Sequence, residues 1–147
     1  MGVRGAAGAY PAVLDSQKVG SYDARACAGG GLVWDEVLEY RVWMHLRDGA
    51  EDAEEGNDYF YAFDSYAAAL EWSADQEGAQ APLALILQRE FIDEPRPGCY
   101  SHVKKERVAE WPVSFLSRPR RTESTIPDFL SPDAPANRLE ILRGSEA

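Results

Sequence analysis

The chain has 147 residues, 45% of them hydrophobic and 11% aromatic, with a formal net charge of −10 and a pI near 4.6. This length fits one folded domain, and the composition is too apolar for a disordered chain. The negative charge opposes binding to nucleic acid or to anionic membranes, which both need clustered cations, so we expect neither as a partner.

Residues 1–31 predict a flexible N-terminal arm. They mix Gly, Ala, Ser and isolated charges without strand or helix periodicity, and they end in the glycine triplet 29–31. Periodicity begins at Leu32 and Val33, whose codons can serve as alternative bacterial starts, so a mis-called start is a second interpretation. Peptides from residues 16–25 in the cellular protein would exclude it. We expect one folded domain over residues 32–147.

Two strands joined by an acidic loop come next. Residues 37–46 alternate and are rich in β-branched and aromatic side chains, which predicts a first strand. Residues 58–63 read DYFYAF and predict a second strand. The segment between them carries many carboxylates and several turn residues, which favours a solvated hairpin loop.

A helix and a central strand follow. Asp64 or Ser65 can cap a helix by accepting a bond from a first-turn N–H group. We expect this helix to continue to about Glu77, with Gly78 as its stop. Residues 83–91 then form an apolar run that turns polar at Gln88, which predicts a central strand covered on both faces near its start.

The remaining chain predicts shorter elements. Residues 93–98 contain two prolines and a glycine and predict a loop. Residues 100–111 suit one or two short, solvated strands, and Pro112 starts a helical turn. A Pro-rich tail from about residue 117 predicts short turns. We therefore expect an α+β fold: a mostly antiparallel sheet, one main amphipathic helix packed on it and an irregular C-terminal tail.

Apolar segments and cysteines bear on the cellular location. The longest apolar stretches, such as residues 82–87, fall far short of the roughly 20 residues that span a bilayer. The start of the chain lacks the apolar core of a secretory signal. Cys27 and Cys99 have no CxxC spacing. The sequence predicts a cytoplasmic protein with two free cysteines.

A polar cluster is the strongest candidate for a functional site. Alternation along the first strand places Arg41, Trp43 and His45 on one face. His can shuttle protons, and Arg can clamp an anion, in which case Arg41→Ala would abolish binding and leave the fold intact. Three residues from later strands can join the cluster: Glu90, His102 and Glu110. The alternative interpretation is that all six line a solvated sheet face.

Motifs for catalysis and metal binding are absent. The sequence has no HExxH, CxxC, EF-hand, GxSxG or P-loop pattern. We therefore name no catalytic residue and predict no metal and no cofactor. Aromatic residues could line a ligand pocket, although such spacing more often builds a core: Trp43, Tyr59, Phe60, Tyr61, Phe63, Tyr66 and Trp72.

Three segments carry a resemblance to a known family: residues 39–45 (EYRVWMH), 58–73 and 90–116. They resemble short bacterial proteins often labelled GNAT-type N-acetyltransferases, over about Val33 to Leu130. The resemblance implies acyl-CoA-dependent acetyl transfer. The pyrophosphate loop of that family, Q/R-x-x-G-x-G/A, has no counterpart after residues 83–91, and no catalytic residue is carried over.

A looser similarity is to the ADP-ribosyltransferase-like core. It implies that Arg41 or His45 would contact the dinucleotide and that Glu90 or Glu110 would be the catalytic acid. Four short segments carry it: residues 40–42, 58–63, 66–73 and 83–88.

Because no catalytic spacing is present, we expect a binding or accessory module for a small molecule or a protein. The alternative is one of these two kinds of transferase.

Overall fold

The computed structural model describes residues 10–144, which contain seven strands and three α-helices. The strands are β1 (Cys27–Ala28), β2 (Glu36–Met44), β3 (Tyr59–Phe63), β4 (Leu83–Gln88), β5 (Phe91–Arg96), β6 (Cys99–Val103) and β7 (Arg107–Pro112). The helices are α1 (Tyr66–Ala74), α2 (Thr125–Leu130) and α3 (Arg138–Leu142). Short 3-10 helices span Ser16–Lys18, Leu46–Asp48 and Val113–Ser117. Residues 1–9 of the predicted arm lie outside the described residues.

The strands form two sheets. Five of them pair in the order β1-β7-β4-β2-β3, and β5 pairs with β6. Strands β2 and β3 are antiparallel, with Val42 opposite Tyr61, whereas the short β1 runs parallel to β7. The predicted α+β class, with a mostly antiparallel sheet and one main helix, is confirmed.

The described residues divide into two compact units, and the first comprises residues 10–26 and 37–85. Helix α1 packs against β3 in this unit. Ser65 caps the helix as expected, because its hydroxyl accepts the Ala68 N–H at 3.1 Å. The helix ends at Ala74, three residues before the expected end at Glu77.

A close backbone approach explains the position of Gly78. Its φ of +84° is in the left-handed region, and a Cβ there would lie 2.3 Å from the Ala50 nitrogen. Its carbonyl accepts the His45 N–H at 2.9 Å. The turn after α1 therefore requires glycine for both conformation and space.

Described residues of the predicted N-terminal arm are bound to β2. The Leu14 N–H donates to the Val37 carbonyl at 2.8 Å, and the Tyr40 hydroxyl donates to the Pro11 carbonyl. Burial raises the pKa of Tyr40, so this phenol stays protonated as a donor. Residues 10–26 thus have fixed partners in the first unit.

The second unit comprises residues 27–36 and 86–144. Its apolar core is formed by Val33, Ile92, Ile126 and Phe129. The tail, expected to form short turns, supplies helices α2 and α3, and their apolar residues pack on this core. The helical turn after Pro112 is present at Val113–Ser117, as expected.

Glycines at the end of the predicted arm surround the Gln88 side chain in this unit. The Gln88 amide donates to the Gly30 and Val33 carbonyls at 3.0 and 2.8 Å. A Cβ on Gly31, whose φ is +77°, would lie 2.3 Å from Gln88 Nε2. The Trp111 indole N–H also donates to the Gly30 carbonyl. The triplet thus has a packing role.

The prediction of a loop over residues 93–98 is wrong, because strand β5 continues to Arg96. Proline is tolerated here because β5 has a β-bulge between Asp93 and Arg96. Over this interval β5 advances by three residues while β6 advances by two. Such a bulge leaves Pro95 without a ladder bond to donate. The turn of the hairpin is at Pro97 and Gly98.

The prediction that the strand after α1 is buried is confirmed. Ala84, Leu85 and Ile86 in β4 are fully buried, and the strand ends at Gln88. Within residues 10–144, no helix has the length and apolar character needed to cross a membrane.

Candidate functional site

Arg41 is fully buried, so the interpretation of a solvated sheet face is wrong for this residue. Its Nε donates to Glu39 Oε2 at 2.7 Å, and its two Nη atoms donate to the carbonyls of Ala24 and Asp23. The guanidinium also lies over the Phe60 ring, 4.2 Å from the centroid. These donors are directed at protein groups, which gives Arg41 a structural role.

His45 is held at both ring nitrogens. Nδ1 lies 2.8 Å from Asp58 Oδ2, and Nε2 lies 2.7 Å from Gln80 Oε1. The bond to Gln80, followed by the bond to Asp58, raises the pKa of His45. Asp58 also accepts the Leu46 N–H; the bonds from His45 and then Leu46 lower its pKa. His45 therefore fastens the end of the acidic loop and has no ring nitrogen left for proton transfer.

Glu90 and His102 lie together in the second unit. His102 Nε2 is 2.5 Å from Glu90 Oε1, and Arg121 Nη1 is 3.9 Å from Glu90 Oε2. Arg121 also binds both oxygens of the buried Asp35, and Asp35 Oδ2 accepts the Arg89 N–H at 2.7 Å. This charged network ties β6 and the tail to the residues that follow β4.

The remaining predicted residues are Trp43 and Glu110. Trp43 packs on Phe60 with ring centroids 5.0 Å apart. Glu110 lies in β7, where its carbonyl accepts the Gly29 N–H at 3.0 Å. Arg41, Trp43 and His45 belong to the first unit, and the other three belong to the second. The structure brings Arg41 and Trp43 together on Phe60, and Glu90 together with His102.

A different set of residues, three of them aromatic, lines an open cavity in the first unit. Tyr59 and Tyr61 lie on the face of β3 that carries α1, and Trp72 projects from α1 beside them. The rings pack edge to face, with centroids 5.8 Å apart for the tyrosine pair and 4.9 Å for Tyr61 and Trp72. Tyr61 is 46% exposed. The space they line has a volume of about 250 Å3. We call it the tyrosine cavity.

The lining of the tyrosine cavity also includes two acidic residues, Glu51 and Glu77, together with Met44, Gly49 and Gln76. Glu77 lies directly against the backbone of Gly49, where a Cβ would be only 2.6 Å from Glu77 Oε2. The Tyr59 hydroxyl donates to the Glu51 carbonyl at 2.7 Å and so holds the loop at the cavity. Desolvation, then the charges of Tyr61 and Glu51, raise the pKa of Tyr59, which keeps this donor protonated.

A second cavity, of about 400 Å3, lies around Trp43 and Phe60. Since successive side chains of a strand point to opposite faces, Phe60 lies on the face of β3 opposite to Tyr59 and Tyr61. Two acidic residues, Glu54 and Asp58, also line this space, which we call the tryptophan cavity. Tyr59 and Tyr61 also line it, so the two cavities meet at β3.

The sequence contained the signal for these cavities. The alternation in DYFYAF places Tyr59 and Tyr61 together, and the acidic loop precedes it directly. Aromatic residues at strand spacing are more often buried, which is why the pattern favoured a core. The exposure of Tyr61 depends on where β3 lies in the sheet, and local spacing does not specify that position.

Within residues 10–144, no group of three or more His, Cys, Asp or Glu side chains is placed to hold a metal ion. Comparison with protein-family models, curated proteins and solved structures gave no significant match.

Proposed function

We propose that this protein is a binding module that recognises a cationic group in the tyrosine cavity. The observation that carries the proposal is that three aromatic residues, Tyr59, Tyr61 and Trp72, line one open space. Two acidic residues, Glu51 and Glu77, line the same space. An ammonium or guanidinium over an aromatic face gains about 0.5–2 kcal/mol, depending on its desolvation.

The size and charge of the cavity favour a side-chain-sized ligand. Its volume of about 250 Å3 lies below the roughly 300–1,000 Å3 typical of small-molecule sites. Carboxylates beside the rings attract a cation and oppose an anion. The net charge of −10 adds long-range attraction for cations. A Lys, Arg or quaternary ammonium head group meets these requirements.

Titration with tetramethylammonium, followed by NMR, tests the proposal. Tyr61→Leu keeps apolar bulk and removes an aromatic face, so we expect its affinity to fall about 5- to 30-fold. Leu70→Ala is the matched control, because Leu70 is 40% exposed in the same unit and does not line the cavity. Equal affinities of wild type and Tyr61→Leu would contradict the proposal.

Charge is tested separately from shape. Glu77→Gln keeps the size of the side chain and removes its charge, so we expect weaker tetramethylammonium binding. Glu71→Gln on α1 is the matched control, since Glu71 is exposed and does not line the cavity. If both variants weaken binding equally, net charge acts and the cavity does not.

A thermal-shift screen separates this module from the transferase alternatives. A ligand at about 100 times its Kd stabilises the fold by roughly 2.7 kcal/mol. Stabilisation by acetyl-CoA would favour the GNAT-type enzyme, and stabilisation by NAD would favour the ADP-ribosyltransferase-like enzyme. The predicted cytoplasmic location stays a prediction and is compatible with all three functions.

A further inference from the structure

We propose that the natural partner is an extended basic peptide that adds as a strand to the outer edge of β3, with its side chains entering both cavities. This inference rests on the proposed function and specifies its partner. Strand addition supplies affinity through main-chain hydrogen bonds, and pockets for alternate side chains supply specificity.

Among residues 10–144, strand β3 lies at the edge of the five-stranded sheet. Strand β3 is the last in the five-stranded order, and among the described residues β2 is the strand that pairs with it. An edge strand presents backbone N–H and C=O groups at alternate residues on its outer side. Proteins commonly protect such edges with Lys, Pro or bulges. The sequence of β3, YFYAF, contains no charge and no proline.

The cavities match the alternation of an added strand. Paired strands direct neighbouring side chains to opposite faces in step. One peptide side chain would therefore lie beside Tyr61 and Trp72, and the next would lie beside Phe60 and Trp43. Acidic residues line both cavities, Glu51 and Glu77 in the tyrosine cavity and Glu54 in the tryptophan cavity, where Asp58 is already bound by His45. Consecutive basic residues on the peptide would meet negative charge on both faces.

Charge complementarity favours a basic peptide over a second copy of the chain or a nucleic acid as the partner of β3. A second copy of the chain would bring another acidic surface, because each copy carries a net charge of −10, and like charges oppose association. Nucleic acid is opposed for the same reason. A basic peptide matches the acidic residues of the cavities and can pair with the edge of β3.

Two N-methylated peptides test strand addition directly. The probe is Ac-Lys-Arg-Thr-Lys-Arg-Thr-NH2, titrated into the full chain. In an added strand only every second amide points towards β3. N-methylation of that set should weaken binding at least tenfold, and methylation of the other set should be tolerated. Bound peptide should also slow hydrogen exchange in residues 59–63.

The outcomes separate this inference from the proposed function. If both methylated peptides bind like the parent peptide and residues 59–63 are not protected, strand addition is wrong, while tetramethylammonium binding can still support the module. If the peptide slows hydrogen exchange in β3 but Tyr61→Leu does not weaken peptide binding, strand addition stands. Recognition of a cation in the tyrosine cavity is then wrong. If neither peptide nor tetramethylammonium binds, both proposals fail.

Discussion

Arg41 and Glu39 form a completely buried ion pair, with Nε 2.7 Å from Oε2 and both side chains 0% exposed. The pair also binds the N-terminal segment, since Glu39 Oε1 accepts the Gly20 N–H at 2.8 Å and Arg41 donates to the Asp23 and Ala24 carbonyls. A buried charge is tolerated only when its partners are present. The pair therefore couples β2 to residues 20–24.

Arg41→Ala should destabilise the fold by about 3–5 kcal/mol, because it leaves the Glu39 carboxylate buried and unpaired. Urea denaturation measures the loss. Arg47→Ala is the control: Arg47 is exposed, and such changes stay within about 0.5 kcal/mol. A loss below about 1 kcal/mol for Arg41→Ala would contradict the structural role and restore the hypothesis that Arg41 serves a ligand.

A chain that starts at Leu32 should unfold at a lower temperature than the full chain, or fail to fold. It lacks the carbonyls of Asp23 and Ala24 that accept from Arg41, and the Pro11 carbonyl that accepts from Tyr40. Circular dichroism on heating measures the change. Asp23→Ala, which keeps the backbone carbonyl, should cost little. An unchanged melting temperature for the shortened chain would show that these bonds do not stabilise the fold.

Gly78→Ala should destabilise the protein more than Gly56→Ala. Both glycines have positive φ, +84° and +87°, so each substitution carries a backbone cost of about 1–2 kcal/mol. A Cβ at Gly78 would also collide with the Ala50 backbone, whereas a Cβ at Gly56 meets nothing within 4 Å. This collision should add about 1–3 kcal/mol. Equal losses in chemical denaturation would mean that the approach of Ala50 is looser than the structure has it.

Stability should depend on pH through His45 and Asp58. Because the pKa of folded His45 is raised, its stabilisation is complete below the ordinary value of 6.5 and is lost as pH rises through the raised pKa. Because the pKa of Asp58 is lowered, its stabilisation is present above 3.8 and is lost as pH falls through the lowered pKa. The pair should therefore contribute most between these two values.

The contribution of the His45–Asp58 pair is measured from the midpoints of urea denaturation of wild type and His45→Gln at a series of pH values. The difference between the two proteins should shrink as pH rises above the pKa of His45. A constant difference at every pH would show that the titration of His45 is not linked to folding.

The sequence predicts correctly those helices and strands that are determined by residues within the same segment. Ser65 caps α1 through its own hydroxyl, and the apolar run of residues 83–87 forms a buried strand because every side chain in it favours burial. The segment around Pro95 predicts a loop and yet forms a strand, because the bulge that accommodates this proline depends on the partner strand β6. The effect of a proline on a ladder is not fixed by its own segment.

The candidate site was only partly predictable for the same reason. Trp43 lies beside the tryptophan cavity with Phe60, and a role for it in ligand binding stays a prediction. The burial of Arg41 depends on acceptors 17 and 18 residues earlier, in a segment without periodicity. The exposure of Tyr61 follows from the edge position of β3, which only the complete sheet order determines.

Recognition of a cation in the tyrosine cavity is tested most directly by comparing the binding of two ligands that have the same shape. N-acetyl-trimethyllysine amide carries a positive charge, and its analogue with a tert-butyl group in place of the trimethylammonium is neutral. NMR titration should shift the Trp72 indole signal with the charged ligand, and the neutral analogue should bind at least tenfold more weakly, a difference of about 1.4 kcal/mol. Equal affinities, or shifts that spare Trp72 and Tyr61, would contradict recognition of a cation in the tyrosine cavity.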